Sequence, residues 1–110
     1  MEILGRIKKI LNTITFSSGF RKRELVVLTD ELYPQNILVE FLQEKIHLLD
    51  KFKTNDYIKI YIKIRGREWI NSEGIVKYLN SIQGWKIEKL KSKESTSSNI
   101  IYDNFYDLPF

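Results

Sequence analysis

Tyr57-Ile58-Lys59-Ile60-Tyr61-Ile62-Lys63-Ile64-Arg65 alternates apolar and polar side chains without a break. Successive side chains of a β-strand point to opposite faces, so the spacing predicts a strand with Ile58, Ile60, Ile62 and Ile64 inward. The other face then carries Tyr57, Lys59, Tyr61, Lys63 and Arg65 together. Thr54-Asn55-Asp56 reads as the turn before this strand. After it, Gly66 to Gly74 reads as a hairpin loop carrying Arg67 and Trp69, and a last strand runs from about Ile75 to Lys89.

Upstream, Ile46, Leu49 and Phe52 are spaced by three within Gln43 to Phe52, the pattern of a short amphipathic helix. Asn36 to Leu42 alternates, with Ile37, Val39 and Phe41 on one face. Arg21 to Thr29 is a further strand. Glu2 to Ile14 is the first, interrupted by Gly5, with Ile3, Gly5 and Ile7 sharing a face. Thr15 to Gly19 and Asp30 to Pro34 read as turns. Five strands with one helix between the third and fourth predict an all-β chain in the order of an OB-fold, a barrel whose closure leaves few exposed edges. Lys93 to Asn99 is polar and low in complexity, the composition of a flexible linker. The expected organisation is an OB-fold domain over residues 1–91 and a linker with an acidic tail over 92–110.

A chain of 110 residues is one domain, and 43% hydrophobic residues suffice for its core. The absence of cysteine removes disulfide staples and thiolate metal sites. No apolar run reaches the roughly 20 residues of a membrane span. Met1 to Arg6 alternates with charge, unlike a signal peptide, so a cytoplasmic protein is expected. His47 is the only histidine, and no nucleophile–base set, metal cluster or phosphate-cradling glycine loop can be assembled. The chain is therefore expected to be no enzyme and to need no cofactor or metal. All 18 Lys and Arg lie within residues 1–93, against 11 of the 14 acidic residues. A basic body of this kind fits an anionic partner, or serves solubility alone.

Tyr57, Tyr61 and Trp69 are candidate stacking residues for a single nucleic-acid strand. Lys59, Lys63, Arg65, Arg67 and the run Arg21-Lys22-Arg23 are candidate phosphate contacts. The competing reading is that Tyr packs well in strands and Lys guards an exposed sheet. Trp69 reads equally as a stacking finger or as a plug at the barrel mouth, and Trp85 reads as core.

Met1-Glu2-Ile3 with Gly5, Thr29-Asp30-Glu31, Tyr33-Pro34, Glu44-Lys45-Ile46, Asn55-Asp56 and Gly84-Trp85-Lys86 occur in an order that resembles a family of small bacterial domains of unknown function. That family is regarded as OB-fold and related to single-stranded-DNA-binding proteins, and the resemblance covers roughly residues 1–90. Asn55-Asp56 stands where Gly-Asp is usual. Leu42, with Glu40 before it on the same face, stands where the third strand of the DNA-binding proteins offers aromatics. Asp107-Leu108-Pro109-Phe110 resembles the docking tip of bacterial single-stranded-DNA-binding proteins, with Tyr106 in place of an aspartate. The resemblance implies a protein that coats single-stranded DNA and recruits replication, repair or recombination proteins through that tip. There Phe110 would bury its ring and present its carboxylate to a basic partner group. The alternative is an OB-fold adaptor that docks by the tail without binding DNA. Either version is compatible with a homo-oligomer.

Overall fold

The computed structural model describes residues 1–91; the segment with the linker and Asp107-Leu108-Pro109-Phe110 lies outside the described residues. Apolar residues at alternate positions build each long strand. The strands are β1 (Glu2–Ile10), β2 (Ile14–Thr15), β3 (Arg21–Thr29), β4 (Asn36–Leu42), β5 (Tyr57–Ile70) and β6 (Val76–Lys89). β1 pairs antiparallel with both β3 and β5, β3 with β4, and β5 with β6. A single parallel contact, Glu40 beside Gln83, joins β4 to β6 and closes the barrel. The five-stranded OB-fold expected from the sequence is the fold observed.

Ile7, Leu25, Val27, Val39, Phe41, Ile58 and Ile60 are fully buried inside it. A short 3-10 helix, Gln43–Leu49, closes one end with Ile46 and Leu49. It replaces the longer amphipathic helix expected to Phe52. Two glycines allow close approach inside the barrel. A Cβ at Gly5 would overlap the Leu28 carbonyl oxygen, and one at Gly84 would overlap the Phe41 ring.

Three expectations change. The hairpin loop expected over Gly66 to Gly74 is mostly strand, because β5 and β6 stay in register from Lys63–Gln83 to Ile70–Val76. The connection is only residues 71–75, where the Asn71 side chain accepts from the backbone N–H of Glu73 and Ile75. Trp69 therefore lies on a strand of an arm that extends past the barrel. Ile64 keeps its inward parity but is 54% exposed, since it sits beyond the last core layer. Trp85 is surface rather than core, because the β5–β6 register shifts between Tyr61 and Ile62, with Lys86 and Gly84 as their partners, and leaves Trp85 as the extra residue. Such a bulge reverses the alternation, so counting back by two from Ile87 puts Trp85 on the wrong face.

Candidate nucleic-acid interface

The outward faces of β3 and β4 carry Lys22 and Glu24 beside Leu42 and Glu40. The β2–β3 hairpin rises on one side and the β5–β6 arm on the other. Together they enclose an open groove of about 660 Å³. Phe16 and Phe20 line its hairpin wall, Lys22, Glu40 and Leu42 its floor, and Arg65, Arg67, Leu79, Ser81 and Gln83 its arm wall. This is the surface, with its two flanking loops, on which OB-folds bind oligonucleotides and oligosaccharides.

Local structure sets these walls. The Phe16 and Phe20 rings lie 6.2 Å apart across a tight turn in which the Gly19 N–H donates to the Phe16 carbonyl and Gly19 takes a positive φ of 92°. Lys22 stands 5.9 Å from the Phe16 ring centroid, and 3.7 and 3.6 Å from the carboxylates of Glu24 and Glu40. Arg65 and Arg67 are exposed, and neither forms an ion pair with a described residue. An arginine with no internal partner keeps its full set of donors for an anion.

The expected stripe on β5 is divided by the fold. Lys59, Tyr61, Lys63, Arg65, Arg67 and Trp69 do alternate along one outward row. Only Arg65 and Arg67 reach the groove. Trp69 follows at the arm tip, 44% exposed, with Lys77 5.9 Å from its ring. Tyr61 lies on the β1–β5–β6 side, 5.4 Å from the Trp85 ring, with the Lys86 and Lys59 ammonium groups 5.0 and 5.7 Å from its centroid. Those two lysines also pair with Glu88 and Glu2.

Tyr57 is not a stacking residue, since it is 8% exposed and its hydroxyl donates to the Asp30 carboxylate. Burial first, then that carboxylate, holds its hydroxyl well above the ordinary tyrosine range, while Arg6 opposes the shift. The basic run of β3 is likewise split by alternation. Lys22 faces the groove, whereas Arg23 shares the inward face of Leu25 and donates from Nε to the Leu11 carbonyl at 2.7 Å. Arg21 also lies on that inner face, at the barrel end, where its backbone N–H donates to the Gln43 side chain. Phe16 and Phe20 escaped the sequence reading. Their only local signal is a pair of aromatics flanking Ser17-Ser18-Gly19, a turn segment between strands.

Among the described residues no group of three or more His, Cys, Asp or Glu could hold a metal ion, and no helix is long and apolar enough to cross a membrane. Residues 2–88 match the family described as Domain of unknown function (DUF3127). No curated protein matches the chain. A crystal structure of the mitochondrial single-stranded DNA binding protein Rim1 from S. cerevisiae is similar, with a TM-score of 0.61 and 16% identity. The likeness covers 83% of this chain and 93% of that one, and it shows the shared fold.

Proposed function

We propose that this chain, which belongs to the DUF3127 family, is a non-catalytic single-stranded-DNA-binding protein that holds the strand in the groove between its two hairpins. The observation that carries the reading is the pairing of walls. Arg65 and Arg67 offer cations on the arm, and Phe16 and Phe20 offer rings on the hairpin. Bases stack on such rings at about 1–3 kcal/mol each and phosphates meet the cations, without a base code being needed. The fold shared with Rim1, a single-stranded DNA binding protein, supports the same choice of ligand. The segment Asp107-Leu108-Pro109-Phe110 completes the proposal as a docking peptide for replication, repair or recombination proteins, resting on its resemblance to known tips.

The test is a titration of labelled oligo-dT of about 16 nucleotides at several salt concentrations. Wild type is expected to bind with a clear salt dependence. Arg65→Ala with Arg67→Ala should weaken binding and flatten the logarithmic salt slope by about 1.4, the share of two phosphates on a single strand. Absence of wild-type binding at low salt sinks the proposal. Phe110→Ala separates its two halves: it should leave the titration unchanged while reducing capture of helicase, nuclease or primosome proteins, and undiminished capture refutes the docking role.

A further inference from the structure

The groove floor carries the Glu40 carboxylate, with Glu24 next to it outside the lining, whereas the arm wall is basic. Glu24 and Glu40 are direct partners across β3 and β4, and one ammonium, Lys22, serves both carboxylates. Two anions against one cation leave a negative excess, which repels phosphate from the floor and leaves it to Arg65 and Arg67 on the arm. A strand seated in this way turns its bases toward the floor.

What the bases meet there is a carboxylate that is ion-paired with Lys22 but has open acceptor positions. Glu40 is only 18% exposed, yet its carboxylate accepts no hydrogen bond from a described residue, because Lys22 stands 3.6 Å away, beyond hydrogen-bond distance. Its register neighbour is Gln83, which lines the same groove and whose side-chain amide is also without a described partner. A carboxylate only accepts, and the adjacent amide can donate. Cytosine presents the matching edge, an exocyclic amino donor next to a ring nitrogen and a carbonyl that accept. In the same pose thymine reverses both positions: its O4 carbonyl faces the carboxylate where the amino group stood, and its N3–H faces the Gln83 donor where the ring nitrogen accepted.

We propose that Glu40, with Gln83 beside it, is a specificity-determining residue that makes the groove prefer cytosine to thymine. The inference rests on the groove binding single strands. It corrects the sequence-based view in which Glu40 and Leu42 merely replace aromatics, by giving the carboxylate a base to read.

The experiment compares oligo-dC, oligo-dT and oligo-dU of about 12 nucleotides on the full chain at mildly alkaline pH. Wild type should bind oligo-dC roughly tenfold more tightly than oligo-dT, with oligo-dU behaving as oligo-dT. Glu40→Gln keeps the side-chain shape and removes the charge. It should bring the ratio of oligo-dC to oligo-dT affinity to within about twofold of one. Affinity for oligo-dT should hold or rise, because Lys22 then has one counter-charge fewer. Equal wild-type affinities, or a preference that survives Glu40→Gln, overturn the proposal. Oligo-dU that binds like oligo-dC also overturns it, since the thymine methyl group would then be what is read. Binding without preference leaves the DNA-binding reading intact, whereas a protein that binds none of the three removes both.

Discussion

The Tyr57 hydroxyl reaches the Asp30 carboxylate at the end of the barrel where β5 begins its pairing with β1, opposite Arg6. Because folding raises its ionisation above the ordinary tyrosine value, the folded state keeps a proton there that the unfolded chain releases at about pH 10. The stability it contributes is fully present below that pH and is lost as pH rises toward the elevated folded value. Tyr57→Phe is expected to lower stability by about 1–2 kcal/mol at neutral pH, by loss of the hydrogen bond. It should also make the alkaline decline shallower. Urea unfolding from neutral pH to about pH 11 reads both effects, and parallel declines in the two proteins would assign the alkaline loss to other groups. Alternation places Tyr57 in the outward row of β5, and that much was legible. The closing of Asp30 over it is a contact between positions 27 residues apart, which no local pattern carries.

At the scale of the element, β6 depends on Gly84. Gly84 faces Phe41 across the barrel so closely that any side chain would meet the ring. Phe41 is fully buried, and close-packed interiors leave a ring little room to retreat. Gly84→Ala should therefore destabilise by about 1–3 kcal/mol through overpacking. A thermal melt should show a fall of roughly 4–8 °C per kcal/mol for a domain of this size, and an unshifted midpoint would mean that the bulge at Trp85 absorbs the methyl group. The same bulge limits what sequence can say of this strand. Ile82, Gly84 and Ile87 all turn toward the interior, a spacing that fits no uniform period of two. The Gly66 misreading has a similar origin. A glycine amid charged residues suggests a loop, yet here it pairs with Asn80 within a continuous ladder.

Across the whole molecule, strand number, order and the helix between the third and fourth long strands could be read from alternation, because one buried face imposes period two on each long strand. The groove could not. Its walls come from residues 16–22, 40–42, 65–67 and 79–83, which only barrel closure brings together. Arg65 and Arg67 were found because they extend an outward row, whereas Phe16 and Phe20 flank the turn between β2 and β3, where no strand period runs to reveal them.

The arm has a consequence for motion. β1 accompanies β5 only as far as Tyr61, so beyond Lys63 the two arm strands have chiefly each other for hydrogen bonding among the described residues. From Ile64 to Leu79 the arm supplies no residue to the buried core. A two-stranded ribbon of this kind opens locally at little free-energy cost. Amide hydrogens of the arm should therefore exchange with deuterium well before those of β1, β3 and β4, whose release waits for global unfolding. Mass-resolved exchange on peptides from the two regions reads the difference, and uniform protection would show the arm to be held by something the barrel does not supply. A ligand gripped by Arg65 and Arg67 would slow that exchange without touching the barrel's, so the arm itself can report occupancy of the groove.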